Sequence, residues 1–528
     1  MLTLFLLSCQ AGTGCSGPSD GGDVGETGGD SGGGDSGGGP DGDRDGWGPA
    51  DGDCDDADPG RHPGAPEVEA NGVDEDCDGL DAGAEPLTGL ALDGPWMGAR
   101  AGFDLAAGDL NGDGFAELVV GAPFNMDGEF AGVALVVPGP LERDANLGDA
   151  IWFTGLPEDQ YSFAGWAVCV PGDMNGDGLA DLAWSVPSAR GDDYWAGVVY
   201  VEDGPAEVGN YFSEPSRGIA GATLGANLGE SLAPAGDVDG DGLADLLVGV
   251  PRPAWPDEPE LQTLGGALVF LGPIRPGTGE ADAELTLVGE ALLDRAGETV
   301  AAGDFNGDGH ADFVVGAPYA DTLATRAGMA WVWYGPSSGT VDLVDAGVRL
   351  LGEGEGDQAG RTLANAHDLD GDGADELLVG GPLSKVDGDR GGRAWLVHGG
   401  AAGTLGLEAA DAVFGSAGTY DWTGFGVDGP GDLDADGVPD LLIGAPQQFG
   451  GAPYRFARVS LHGGASVGAR APEAASRVWV SPYLGDLVGA AVLGGVDLTG
   501  DGAPDIAVGA PYDDHAGTEA GRVYVLSP

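Results

Sequence analysis

The apolar positions of this chain fall into short runs that return at a nearly fixed interval. The runs at 118–120, 182–184, 246–248, 313–315, 377–379, 441–443 and 506–508 are each preceded by a polar stretch, and most lead into Gly-Ala-Pro or a near variant. Runs this short, rich in Val and closed by Gly and Pro, read as strands buried on both faces. The polar stretch before them is first seen as Asp109-Leu-Asn-Gly-Asp-Gly-Phe-Ala-Glu117. Its first acidic residue recurs at Asp109, Asp173, Asp237, Asp304, Asp368, Asp432 and Asp497, in steps of 64, 64, 67, 64, 64 and 65 residues. An acidic turn feeding a buried strand reads as a hairpin loop. A typical unit is read as strands at 149–155, 164–171, 182–186 and 198–202. Four strands per repeat match one blade of a β-propeller. The predicted class is all-β, a seven-bladed propeller.

The loops carry candidate chemistry. Positions 1, 3, 5 and 9 hold acidic or amide side chains, and Gly at position 6 permits a tight reversal. Hard cations such as Ca²⁺ take six to eight oxygens, which alternate side chains and one carbonyl of a short loop can supply. The first loop offers Asp109, Asn111, Asp113 and Glu117 with the carbonyl of Phe115, and the second Asp173, Asn175, Asp177 and Asp181 with that of Leu179. The third offers Asp237, Asp239, Asp241 and Asp245 with Leu243; the fourth Asp304, Asn306, Asp308 and Asp312 with His310. The fifth offers Asp368, Asp370, Asp372 and Glu376 with Ala374; the sixth Asp432, Asp434, Asp436 and Asp440 with Val438. The seventh has Asp497, Thr499, Asp501 and Asp505 with Ala503, and Thr499 makes it the weakest expected site. The opening resembles an EF-hand loop but closes at position 9 rather than 12.

Composition sharpens this. Gly 104 and Pro 35 without a period would point to disorder, whereas with one they mean many tight turns. A formal net charge of −68 excludes nucleic acid as a partner, because phosphate binding needs basic patches. Divalent cations are the natural counter-charge.

The Phe-Gly steps at Gly102-Phe103 and Gly424-Phe425-Gly426, the Asp-x-Asn-Gly-Asp-Gly loops and the Gly-Ala-Pro turns together resemble the FG-GAP repeat of the integrin α-subunit head, over residues 87–528. The resemblance implies a seven-bladed propeller with Ca²⁺ held between the first and second strands of several blades. All seven loops here keep the motif, where integrins keep only some. The seventh repeat stops at its third strand, 521–527, and 87–93 has the character of the missing fourth, so the two ends are expected to pair.

Before the repeats, Leu6-Leu7-Ser8-Cys9 resembles a bacterial lipobox, which implies a signal over 1–9, lipidation of Cys9 and an outer-membrane or extracellular location; a ragged N-terminus is the alternative. Residues 10–42, nearly all Gly, Ser and Asp, are expected to form a flexible tether. Residues 43–82 resemble the small Asp/Cys-rich metal-binding repeat of bacterial surface proteins. That resemblance implies a Cys54–Cys77 disulfide in an oxidising compartment, against two unpaired thiols in an acidic linker, with Asp43, Asp45, Asp53, Asp55, Asp74, Asp76 and Asp78 as candidate ligands. Cys169, between two valines, reads as a buried apolar group.

No nucleophile elbow, P-loop or His-based zinc pattern is present, so an enzyme is not expected, and the six histidines read as surface or edge residues. Arg190-Gly191-Asp192 is at chance level in a chain this rich in Gly and Asp. A ligand would use the face opposite the cation loops, where Tyr194, Trp195, Trp255, Tyr319, Phe449, Tyr454, Phe456 and Tyr512 fall; the same aromatics read equally as turn residues packed on their own blades. The expected function is a Ca²⁺-stabilised monomeric adhesion or recognition module for extracellular protein or carbohydrate, touching membrane only through its lipid. The alternatives are a propeller serving a carbohydrate- or phospholipid-active hydrolase and a purely architectural envelope protein.

Overall fold

The computed structural model describes residues 59–63, 65 and 85–528, except 125–131, 155–162, 190–194, 205–216, 224, 252–263, 386–389, 416–419, 448–456, 464–474 and 482–484. Cys9, Cys54, Cys77, the acidic residues of 43–82, Arg190-Gly191-Asp192, Tyr194, Trp255, Phe449, Tyr454 and Phe456 all lie outside the described residues.

Seven antiparallel sheets stand around one axis. Blade 1 runs outward from Leu105–Gly108 through Glu117–Ala122 and Val133–Val137 to Ile151–Phe153. Blade 2 runs from Val168–Gly172 through Asp181–Val186 and Val198–Glu202 to Arg217–Ala220. The strand expected at 149–155 therefore exists, but it is the outer edge of blade 1 and not the start of blade 2. Each repeat in sequence is shifted by one strand from each blade in space. The shift is what the ring closure requires: Leu90–Asp93 pairs antiparallel with Arg522–Leu526 and becomes the outer main strand of blade 7.

The second strand of six blades is buried at all six positions, and at all five in blade 5, because neighbouring blades cover both faces. This is why these strands are continuous apolar runs and not alternating ones. Seven apolar clusters fill the spaces between blades. One joins Leu442, Val459 and Trp479 of blade 6 to Ile506, Val508 and Tyr524 of blade 7, and another joins Leu92 and Val523 of blade 7 to Leu118 and Leu135 of blade 1.

A feature absent from the sequence reading binds the perimeter. Connections between third and fourth strands reach back to the previous blade and add a parallel edge. Ala145–Asn146 pairs with Leu92 and Asp93 of blade 7, Gly339–Asp342 with Leu285–Val288 of blade 3, and Gly403–Gly406 with Val348–Leu351 of blade 4. Glu85–Pro86 does the same to blade 6, pairing with Trp479 and Val480.

Candidate metal centres and the opposite mouth

Each acidic loop joins the innermost strand of its blade to the second, so all seven lie at one end of the axis. Within a loop the side chains turn inward and curl the backbone. Asp109 accepts the N–H groups of Gly112 at 2.7 Å and Gly114 at 3.1 Å, Asn111 Oδ1 accepts from Asp113 at 2.8 Å, and Asp113 Oδ1 from Phe115 at 2.9 Å. The second loop repeats this through Asp173, Asn175 and Asp177. Glycines at the fourth and sixth positions take φ of 77° and 92° in the first loop, a region costly for other residues, yet the sixth loop places Ala435 there at 61°.

The ninth residue does more than the motif foretold. Asp181 accepts the N–H of Met174 at 2.8 Å and, from the end of the third strand, that of Gly204 at 3.1 Å. Glu117, Asp245, Asp312 and Glu376 make the equivalent contact with Gly139, Gly272, Gly335 and Gly399. This carboxylate ties the loop to the rest of its blade.

The structure brings Asp237, Asp239 and Asp245 together, likewise Asp368, Asp370 and Asp372, and Asp432, Asp434 and Asp440, each trio with carboxylate oxygens within 4.8 Å of one another. The other loops have Asn111, Asn175, Asn306 or Thr499 in third place, so one of their four side chains is not a carboxylate. Thr499 Oγ1 is buried without a partner, whereas the third residue of the other six loops accepts the N–H of the fifth.

These residues fit a hard cation. Asp312 and Asp440 are fully buried, and Asp312 Oδ2 and Asp440 Oδ1 have no hydrogen-bond partner. Burial is the main cause that pushes Asp181, Asp245 and Asp440 up to about 6 and Asp312 up to about 7; backbone N–H donors oppose it and neighbouring acids of the loop add to it. Burial raises Glu117 and Glu376 also. A buried carboxylate with an orphan oxygen among like charges is the group a divalent ion satisfies.

Two histidines depart from expectation. His462 is buried, packed on Phe414 at 4.7 Å, with its imidazole pushed down to about 4 by burial and then by Arg458. His398 stands beside Asp370 and Glu376 in the fifth loop. No local spacing announces it, since 28 residues separate His398 from Asp370 and only strand pairing joins them. Cys169 is buried as expected, and burial pushes its thiol up.

At the other end of the axis, where the innermost strands begin, lies a cavity of about 310 Å³ lined by residues from all seven blades. Its wall is aromatic at Phe103, Trp166, Tyr319, Phe425 and Tyr512. Phe103 and Trp166 approach to 4.7 Å between ring centres, and Arg100 covers Tyr512 at 4.3 Å. Tyr319 and Tyr512 were foreseen; Trp195 is 48% exposed and is not part of this wall. An ion cluster crosses the rim: Arg295 pairs with Glu298 at 2.9 Å and Glu230 at 3.4 Å, and Arg361 pairs with Glu298. Burial pushes Glu230 up to about 7, with Arg295 opposing.

The geometry defines a class, a closed ring of seven four-stranded blades with an acidic loop in every blade. The FG-GAP repeat model matches residues 101–137, 164–201, 228–258, 296–333, 359–397, 428–460 and 488–526, and the chain belongs to the FG-GAP repeat proteins. A second model, described as "Putative metal-binding motif", matches residues 53–82. Among curated relatives, integrin alpha-V of Gallus gallus is 26% identical over 300 residues, 52% of this chain and 27% of its own length. Integrin alpha-IIb of Homo sapiens is 33% identical over 225 residues, 40% and 20% of the two chains, and integrin alpha pat-2 of Caenorhabditis briggsae 25% over 306 residues, 54% and 22%. The matches span about a quarter or less of those relatives' length. A solved structure of BBS1N in complex with ARL6DN covers 85% of this chain and 97% of its own at 13% identity, with a TM-score of 0.39, too low to carry an argument.

Proposed function

We propose that the protein is a Ca²⁺-stabilised recognition module, displayed outside the cell through a lipidated Cys9 and the 10–42 tether, that binds an extracellular protein or carbohydrate as a monomer. The observation that carries the reading is the mouth opposite the acidic loops, where an aromatic wall and an ion cluster from separate blades converge on one cavity. Half-buried aromatic and Arg groups lining a concavity, as here, are the usual anchors of recognition. Seven Ca²⁺ ions, held by residues 1, 3, 5 and 9 of each loop and the carbonyl of residue 7, pin the hairpins and leave the mouth rigid. The integrin relatives favour adhesion. Residues 43–82 form a separate small metal-binding unit closed by Cys54–Cys77.

The test is a binding screen of the purified protein on glycan and matrix-protein arrays, with and without chelator. Calcium-dependent binding lost in Trp166→Ala supports the reading. Turnover of a glycan or phospholipid would favour a hydrolytic role instead, and silence on every surface would leave an architectural one.

A further inference from the structure

One slot next to the metal loops differs from blade to blade and has no counterpart in the FG-GAP motif. It is the residue directly opposite the ninth loop position at the end of the third strand. The strand registers, extended by one residue in every blade but the sixth, where Asp440 and Gly463 already pair, place Pro138, Asp203, Leu271, Tyr334, His398, Gly463 and Ser527 in this slot, in blades 1 to 7. In most blades the occupant has visible other work or no side chain to offer. Asp203 pairs with Arg217, Tyr334 donates to the carbonyl of Ala401, and Ser527 donates to Asp505. Blade 5 alone puts an imidazole there.

His398 Nδ1 lies 2.9 Å from Asp370 Oδ2 and 3.5 Å from Glu376 Oε1. One donor atom from each of the three residues falls within a 4.8 Å span. The backbone that carries the ring is fixed, because the N–H of His398 donates to Asp411 Oδ2 at 2.9 Å. Glu376 is fully buried and divides its oxygens: Oε2 takes the N–H of Leu369 at 2.6 Å, and Oε1, with only a 3.3 Å contact to Gly399, is the one nearer the ring. The side chains of Asp370 and His398 keep 38% and 27% of their surface open, so an ion can enter from solvent.

We propose that blade 5 carries a mixed nitrogen and oxygen metal site, formed by His398 Nδ1, Asp370 and Glu376, that takes a borderline divalent ion of the zinc class. Calcium takes oxygen ligands, whereas imidazole suits Zn²⁺, Ni²⁺ and Cu²⁺. Tetrahedral donors at zinc bond lengths stand about 3.4 Å apart, which the 3.5 Å separation of His398 and Glu376 matches, while the 2.9 Å His398–Asp370 contact is a hydrogen bond that opens by about 0.5 Å when the ion takes the proton's place. Three protein ligands leave a fourth position for water. Asp370 and Glu376 are also the third and ninth residues of the fifth loop, and Asp370 belongs to the trio with Asp368 and Asp372, so the zinc-class ion shares two carboxylates with the adjacent calcium loop. The site does not depend on calcium filling that loop.

The experiment is isothermal titration of ZnCl₂ into the full chain held in saturating Ca²⁺, comparing wild type with His398→Ala and His398→Gln. The expected result is one more equivalent of Zn²⁺ in wild type than in either variant, together with a visible Co²⁺ absorption band that both variants lose. Equal stoichiometry in all three proteins, as a plain His–Asp ion pair would give, overturns the proposal. Far-UV circular dichroism and an unchanged melting temperature confirm that the variants are folded. A missing calcium effect on melting alongside a retained Zn²⁺ difference would remove the calcium reading and leave this one standing.

Discussion

The two ends of the propeller axis are built by opposite rules. At one end seven loops repeat nearly the same nine residues, and the carboxylate at position 1 accepts the N–H of the sixth residue in every blade. At the other end the contributions vary: Phe103, Trp166, Glu230, Glu298, Arg361 and Phe425, from six successive blades, are of four residue types. Repetition there would give a seven-fold symmetric rim. The contrast teaches that sameness marks the end that holds the ring together, and difference marks the end that can discriminate among ligands.

The comparison breaks most decisively if chelation has no thermal effect. A site at a hundred times its dissociation constant contributes about 2.7 kcal/mol, so stripping several loops is expected to lower Tm by on the order of ten degrees or more, read by calorimetry with and without EDTA. Next in size is Leu92→Asp in the strand that closes the ring. Leu92 is fully buried between blades 7 and 1, and an unpaired charge there is expected to cost about 3–5 kcal/mol in urea unfolding. The faces separate in a paired test. Asp440→Asn is expected to weaken the calcium response and leave binding to an array hit intact, whereas Trp166→Ala is expected to weaken that binding roughly tenfold and leave the calcium response intact.

A pH effect is expected between the faces, at Asp428 on the innermost strand of blade 6. It accepts the N–H of Gly494 of blade 7 at 2.8 Å, and burial pushes its carboxyl up to about 7. The folded state therefore holds this proton more tightly than the unfolded chain, and the stability it contributes is full below about pH 4 and lost as pH rises through about 7. Asp428→Asn is expected to flatten this fall, gaining on wild type at pH 8 by on the order of 1 kcal/mol and not at pH 4. The smallest effect is Ala435→Gly, which relieves the one left-handed non-glycine at a fourth loop position and is expected to add about 1 kcal/mol.

Much of the ring was legible because its signals are local. Seven acidic turns, seven buried runs and the orphan strand near residue 90 are contiguous in sequence, and they fixed blade number, closure and the loop end of the axis. What escaped is what distant residues make together. The assignment of 149–155 to the wrong blade came from reading a repeat as a spatial unit, when closure demands a one-strand offset. The Arg295–Glu298–Glu230 cluster joins neighbouring blades, and His398 meets Asp370 only through strand register. The Phe103 and Phe425 of the Phe-Gly steps were recognised as motif letters, but their place on the cavity wall follows from where the innermost strands begin.

Force applied through the segment that precedes Glu85 does not reach the closing strand directly. It first meets two residues laid alongside the rim of blade 6, where Glu85 is also held by Arg477, and only then Leu90–Asp93 in blade 7. A load pulling on the N-terminal side is thus divided between two sectors in shear, and the clasp that shuts the circle is shielded from the initial tug.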